Sequence, residues 1–566
     1  MKTRRFQRGG IAVFAILAMT MLLSVAVGVA GLTMQSMKRA RRDTKAVVAY
    51  QAAQAGLDYQ LAVEFCKLAA NKGEFLEGEY DLTEDLEDLI DGGWVEVSVE
   101  PLTDPTKAWV TCTSATDGFS KSVRHYIGSR NVGIWNNAVF AGTGASGQAI
   151  NGNVDIRGSV HILGDGEAYS DLNANGKRDA GESFTDSNGN SVWDPGEPFV
   201  DTNGDGVCNP PEPYNDSNYN GVYDPPLTQT DLNSSFSGTA YVGNNYSGMP
   251  AALEAMIPAA PTVGGIETLG TEVRVKHGMI GINGNATIGT PDVVDGGTSK
   301  STIDGSYVND GFTGNKGAAS VYSDNGTSNG YDLGALGIKF PLISGIGAET
   351  YVDKTGAAWT TQQSYLDSRS LTVAVPTIKA TTTAFSYGPD AYGNKISFTP
   401  ESGGTPAVLN ITGIVKIVGD LQIGAKNSHV RYTGNGTIYA TQDIKIDGNL
   451  LPKDGTKFPT TSRIGLIAKR NMLLATGSGS SQLSMAGAFY AQGKIVSAKQ
   501  NQIAGTFVAN FYDLGTNVPN IYQVPALPTN MPPGMPGDKN YFTIKVQSWR
   551  ERASTGGYSM AAAFTG

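Results

Sequence analysis

Residues Ile11 to Met34 form an uncharged run of 24 residues without proline, and no other feature constrains the chain as strongly. In lipid, a segment of this kind satisfies its backbone polar groups only as a helix. At about 1.5 Å per residue it would extend about 36 Å, enough to cross a hydrocarbon core of about 30 Å. A removable signal peptide has a shorter apolar region of about 7–15 residues, so this helix is expected to stay as an anchor. Lys2, Arg4, Arg5 and Arg8 precede it, and Lys38, Arg39, Arg41, Arg42 and Lys45 follow. With basic flanks at both ends, the positive-inside rule alone does not set orientation. Ala46, Ala49, Ala53, Leu57, Leu61 and Ala62 continue at helical spacing, which predicts one rod from Ile11 to about Asn71.

The remainder reads differently. Gly makes up 72 of 566 residues, well above the usual share of about 7%. With 40% hydrophobic and 17% charged residues, the chain is folded and turn-rich, and a helical bundle or coiled coil is excluded for most of it. Four His and three Cys leave little material for zinc sites or a disulfide scaffold. Residues 72–130 read as a small mixed α/β stalk. Trp94, Glu96 and Ser98 alternate there with Val95, Val97 and Val99, and Ala108–Thr113 and Ser122–Ile127 give two more strands. Cys66 and Cys112 either pair in that region or remain as two buried thiols.

From about Trp135, short apolar alternations recur between Gly and Asn. Asn153–Gly158 is followed by Ser159–Gly164, a hexapeptide step. Asp420-Leu421-Gln422-Ile423 resembles Asp443-Ile444-Lys445-Ile446, 23 residues later. Asn471-Met472-Leu473-Leu474, Gly493-Lys494-Ile495-Val496 and Asn510-Phe511-Tyr512-Asp513 continue at steps of 28, 22 and 17. Short strands at about twenty-residue steps match the coils of a right-handed parallel β-helix, so the fold class expected is mainly β. Gly and Asn supply the left-handed corners. Residues 228–400 are Gly/Ser/Thr-rich and poorly periodic, which predicts irregular coils with long loops. The expected organisation is a leader, transmembrane and rod helix over 1–71, the stalk over 72–130, a β-helix-like domain over 131–540 and a C-terminal strand or tail over 541–566.

Two stretches carry a family resemblance. QRGGIAVFAILAMTMLLSVAVGVAGL followed by AYQAAQAGLDYQLA resembles the start of PilX-type pilus assembly proteins, the minor-pilin-like family of type IV pili and type II secretion. The series GTIYATQDIKI, GLIAKRNMLL, GAFYAQGKIV and GTFVANFYDLG resembles their β-helical ectodomain. The resemblance implies a cytoplasmic amino terminus and a large part outside the bacterial inner membrane, with pilin-like proteins as partners through the N-terminal helix. One position departs from the pattern. Prepilins usually carry Glu at the fifth mature position, whereas cleavage after Gly9 or Gly10 would put Phe14 or Ala15 there. An uncleaved single-pass anchor is the alternative, with the same topology.

Charge is concentrated in one place. Asp165 to Asp224 holds thirteen acids and two bases, Lys177 and Arg178, a balance of −11 against a whole-chain −10. Such a block repels nucleic acid and invites cations. Asp171, Asp186, Asp201 and Asp216 fall at a strict 15-residue period. The third position of each copy is Asn173, Asn188, Asn203 or Asn218, and the fifth is Asn175, Asn190, Asp205 or Asn220. The ninth is Asp179, Asp194, Asn209 or Asp224, and the twelfth is Glu182, Glu197 or Glu212, with Leu227 in the last copy. Phe184, Phe199 and Tyr214 stand two residues behind each Glu. This is the oxygen order of an EF-hand loop, and calcium accepts six to eight such hard oxygens. Without flanking helix patterns, the copies resemble the calcium repeats of dockerins and thrombospondin type 3 segments. The expectation is an insertion over 165–227 with three strong Ca2+ loops and a weak or empty fourth, ordered by the ion, with the aromatic residues packed between successive loops.

No Ser-His-Asp grouping, Walker loop or dinucleotide fingerprint is present, and His125, His161, His277 and His429 stand alone. The sequence therefore points to a non-enzymatic, membrane-anchored structural component of a pilus or secretion-like assembly. The alternative is a surface adhesin or an envelope glycan-binding module with a simple N-terminal anchor.

Overall fold

The computed structural model describes residues 8–68, 70–89, 92–116, 119–131, 133–142, 150–151, 155–172, 174, 177–187, 193–195, 197–201, 207–217, 219, 221–225, 236–237, 241–263, 266–267, 269–271, 273–275, 287–290, 306–308, 312–313, 321–323, 338–513, 519–537 and 542–552. The chain divides into two compact units, residues 1–131 with 541–566, and residues 132–540.

The first unit is built on one helix, α1 (Arg8–Leu68). Residues 15–44 are exposed, including Ile16, Leu22, Val27 and Leu32. Beyond them one face becomes buried at helical spacing: Ala49, Ala52, Ala53, Leu57, Gln60, Glu64 and Leu68. That face packs with an antiparallel sheet of strands β1 (Gly78–Asp81), β2 (Trp94–Pro101), β3 (Lys107–Thr116) and β4 (Phe119–Asn131). A fifth strand, Phe542–Arg552, pairs antiparallel with β4. The alternation read in β2 and β3 places Val95, Val97, Val99, Val110 and Cys112 in the core. Gly56 permits the close approach, because a Cβ there would lie 2.8 Å from both Cys112 Sγ and Val95 Cγ1. Glu64, buried on the same helix, accepts from Gln60 Nε2 at 2.8 Å and pairs with Lys67 at 3.3 Å. Cys66 and Cys112 do not pair. Cys66 is exposed, and Cys112 is a free thiol that burial pushes up to about 12.

The second unit is mainly β, and its large sheet is dominated by parallel pairings. The repeats identified in the sequence are parallel neighbours: Leu421 pairs with Ile444, Ile444 with Met472, Met472 with Ile495 and Ile495 with Tyr512. A second ladder carries Val415, Ile438, Leu466, Phe489 and Phe507 in register, all fully buried. A third carries Met485, Ile503, Ile521, Ile156 and Val242. Each level contributes one residue to each column, so a level buries its apolar side chains against the levels above and below.

The Asp or Asn that opens three of the repeats, Asp420, Asp443 and Asn471, has a separate function. Asp420 accepts from the backbone N–H of Asp443 at 3.0 Å, Asp443 from Asn471 at 2.9 Å and Asn471 from Lys494 at 3.1 Å. A short acceptor at this corner satisfies a backbone donor of the next level, which accounts for Asp or Asn at the head of these three tetrapeptides.

The order of levels departs from the chain order. The sequence suggests that residues 135–164 start the stack and that 510–513 close it. In the structure Val139–Ala141 pairs parallel with Phe507–Ala509, and Ile156 pairs with Ile521. The first strands therefore cover the last ones. Phe507, Ile503 and Ile521 would otherwise present an open apolar end. The hexapeptide step places Asp155–Arg157 and Val160–Ile162 on different ladders, pairing with 521–522 and 139–141 respectively.

Truncation of Leu466 to Ala is expected to cost about 2–5 kcal/mol of unfolding free energy, whereas Val418→Ala, at a site 68% exposed, should stay within about 0.5 kcal/mol. Urea unfolding followed by tyrosine fluorescence separates the two.

Candidate metal centre

The 15-residue repeat folds back on itself. Tyr169 bridges Tyr214 and Phe184 bridges Phe199, both antiparallel. Backbone bonds extend the pairing: Glu167 N–H donates to Asp224 O at 2.9 Å, Glu212 N–H to Asp179 O at 3.0 Å, Glu182 N–H to Asn209 O at 2.9 Å and Thr185 N–H to Pro198 O at 2.8 Å. Three of the four bridging residues, Phe184, Phe199 and Tyr214, are the aromatics that trail a twelfth position.

This pairing sets where each glutamate goes. Glu197 stays in its own copy and accepts from the N–H groups of Ser187 (2.6 Å) and Asp194 (2.9 Å). Those donors occupy the second and ninth positions. Glu212, from the third copy, makes the equivalent pair of bonds to the first copy, accepting from Leu172 at 2.6 Å and Asp179 at 3.1 Å. Glu182, from the first copy, returns the contact by accepting from Asn209 at 3.2 Å. The fourth copy, which has Leu227 where a Glu is expected, receives Glu167 instead. Glu167 accepts from Ser217 at 2.5 Å and Asp224 at 3.2 Å. Sequence reasoning missed Glu167, although the signal was available: it lies 15 residues before Glu182, in phase with the repeat.

The interior of this segment is polar. Glu167, Glu182, Glu212 and Asp224 are buried, whereas Leu172, Val200, Val207 and Val222 are exposed. The Glu167 carboxyl is raised to about 7, by burial first and by the charges of Asp224 and Asp216, against the N–H groups of Ser217 and Asp224, which pull it down. Some of the aromatics pack between successive copies, Phe184 bridging Phe199 and Tyr214 lying against Tyr223, and others do not. Tyr223 lies edge-on to Tyr169 and Tyr214 at 5.8 and 5.6 Å, and Trp193 edge-on to Phe199 at 5.7 Å. The antiparallel fold-back brings the first copy beside the third. The Arg178 guanidinium lies 4.5 Å over Tyr214 and 5.1 Å from Tyr223, and its Nε donates to Glu212 O.

Of the candidate ligands, Asn173, Asn175, Asn188, Asn190, Asn203, Asp205, Asn218 and Asn220 lie outside the described residues. Asp171, Asp179, Asp186, Asp194, Asp201, Asn209, Asp216 and Asp224 are described. Among the described residues, no three His, Cys, Asp or Glu side chains gather closely enough to hold an ion. The donor set itself consists of hard oxygens, which suit calcium. Each clasping carboxylate has about four lone-pair sites, and the backbone bonds take two at Glu167, Glu197 and Glu212.

Among the described residues, His125, His161 and His429 belong to no cluster of His, Cys, Asp and Glu that could hold a metal. His161 is buried edge-on to Phe140, His429 Nδ1 accepts from Asn449 N–H, and His277 lies outside the described residues. Burial pushes His125 down while Asp58 pulls it up.

No protein-family model matches the chain, and no curated protein matches it. Among solved structures it is similar to the competence-associated pilin ComZ from Thermus thermophilus, at 16% identity over 90% of this chain and 98% of that one, with a TM-score of 0.46.

Glu212→Ala is expected to leave the part-buried Leu172 and Asp179 N–H groups without that acceptor, at about 0.5–1.5 kcal/mol for each bond lost. Hydrogen exchange followed by mass spectrometry should then show faster exchange over 170–180 and no change around Asp194, whose acceptor is Glu197.

Proposed function

We propose that this protein is a membrane-anchored structural component of a type IV pilus or a type II secretion-like assembly, displaying a calcium-stabilised right-handed parallel β-helix outside the inner membrane. The observation that carries this reading is the division of labour along α1. Its later half is spent on a protein core, while residues 15–44 offer an exposed surface that is apolar as far as Met34. A helix of that kind is stable in lipid or against other apolar helices, and in water it is a liability. Pilin-like helices are the partners this surface suits, through close packing of small residues such as Gly28, Ala30 and Gly31. No catalytic role is assigned.

The calcium part rests on the buried carboxylates. Charges taken out of water cost several kcal/mol each, by an approximate reckoning, unless they are paired. Glu167, Asp216 and Asp224 converge on one copy, where the Asp224 and Asp216 charges act to raise the Glu167 carboxyl. A divalent ion held by the repeat oxygens would offset that repulsion. With Glu167 supplying the twelfth-position carboxylate to the fourth copy, all four copies are provided for, rather than three. Affinities of about 10⁻⁴–10⁻³ M are usual for extracellular modules and fit this location.

Two measurements test the reading. In membranes, cysteine crosslinking from Val27→Cys should capture pilin-like proteins, and capture of lipid only would refute the assembly role. Calcium titration of the full chain by calorimetry should give four equivalents, falling to three in Glu167→Gln, with chelator making the 165–227 segment protease-sensitive. A stoichiometry unchanged by Glu167→Gln would remove Glu167 from the ligand set.

A further inference from the structure

A separate feature of the second unit lies in residues 351–414. A cavity of about 340 Å³ is lined by Tyr351, Tyr365, Arg369, Tyr392, Ile414 and Pro533, within the range of about 300–1,000 Å³ usual for small-molecule sites. Its walls are fixed. Tyr351 and Trp359 face each other across a short antiparallel pair. The helix Gln362–Arg369, capped by the Thr361 side chain, sets Tyr365 at 4.8 Å from the Tyr351 ring and 5.7 Å from that of Trp359.

Two cations line the cavity, Lys354 and Arg369, and only Arg369 is stacked on aromatic rings. Its guanidinium lies 4.7 Å from the Tyr392 ring and 5.3 Å from the Trp359 ring. Among the described residues it has no ion pair or side-chain hydrogen bond. The carboxylates nearby, Asp353 in the cavity lining included, are already engaged. Asp353 accepts from the Thr355 N–H and hydroxyl, from Ala357 N–H and from Trp359 Nε1. Asp390 accepts from Tyr392 N–H, Asn394 N–H and Asn394 Nδ2, and Asp367 pairs with Lys416 at 2.7 Å. Five donors in a planar fork are therefore held by ring stacking alone, at the wall of a cavity.

We propose that this cavity binds an acidic sugar of the uronic acid class, with Arg369 taking the carboxylate in a two-bond fork and Tyr351, Tyr365 and Tyr392 taking the C–H faces of the pyranose ring. The guanidinium fork matches a carboxylate in shape as well as charge. The electron-rich ring faces attract the positive edges of C–H groups, so tyrosines beside a cation select an anion that also carries an aliphatic ring. A small inorganic anion would leave the aromatic walls unused. The proposal concerns a site remote in sequence from the anchor and from the acidic repeat, and it holds whether or not the assembly role does.

Calorimetric titration of the full chain in detergent with methyl glucuronoside, and with its uncharged methyl ester, tests it. The ester keeps the ring and removes only the charge. The acid is expected to bind about tenfold or more tightly than the ester, and Arg369→Gln should abolish that preference. Tyr392→Ala, at an exposed position, should weaken the acid several-fold while leaving thermal unfolding unchanged. Equal binding of acid and ester, an unchanged preference in Arg369→Gln, displacement by equimolar inorganic phosphate, or no binding at millimolar sugar would each overturn the proposal. If Arg369→Gln lowers the unfolding temperature, Arg369→Lys is decisive: it should bind more weakly than wild type and still prefer the acid.

Discussion

Parallel stacking imposes one demand on which the whole second unit depends: a column of side chains must be of the same kind at every level. Val415, Ile438, Leu466, Phe489 and Phe507 meet this demand in one column, and Leu421, Ile444, Met472, Ile495 and Tyr512 in another. The demand reaches the polar corners too, where Asp420, Asp443 and Asn471 each accept from the backbone one level on. A sequence that satisfies such a ladder must repeat itself, loosely in identity and strictly in chemistry. Strand steps can vary from 17 to 28 residues because only the ladder positions are constrained, and the connecting loops are free to differ.

Within the same unit, residues 165–225 use the opposite chemistry for an interior. Large side chains such as Leu172 and Val222 point outwards, and glutamates point inwards. The segment is held by an antiparallel backbone pairing and by carboxylates that accept two N–H groups each at Glu167, Glu197 and Glu212. Backbone N–H groups at a charged acceptor make strong bonds, but they supply no net charge to balance the anion. The segment is thus ordered by directional N–H donation to carboxylates rather than by apolar contact.

Features set by local periodicity were legible in the sequence. The helix over Arg8–Leu68, the stalk alternation in Val95, Val97 and Val99, and the parallel neighbours from Leu421 to Tyr512 follow from spacing along the chain. Pairing between distant segments was not legible. The repeat phase placed Glu167 in series with Glu182, yet nothing in the phase says that Glu212 serves the first copy rather than its own. The aromatic cavity escaped notice for a similar reason. Tyr351, Trp359, Arg369 and Tyr392 are scattered over forty or so residues without a period, and only the short helix and its preceding strand pair bring them together.

Closing the stack with its own beginning has a consequence for folding. Trp135 Nε1 donates to Pro536 O, the Thr506 hydroxyl donates to Asn137 O, and Gln523 both accepts from Ser159 N–H and donates to Asn136 O. These bonds join segments separated by 364 to 401 residues, so although 139–141 pairs locally with 160–162, the edges that 139–141 and 155–157 turn to 507–509 and 521–522 are filled only once the far end of the unit exists. Pairings of such high sequence separation fold slowly, because loop closure precedes the contacts that reward it. Until then the early strands, rich in Val and Ile, present open ladders to any edge within reach. The levels from 371 to 513 have no such requirement, since each pairs mainly with its neighbour in sequence. Assembly from that middle block outwards, with residues 134–164 docking last onto 502–523, is the route that leaves the fewest strand edges exposed at each step.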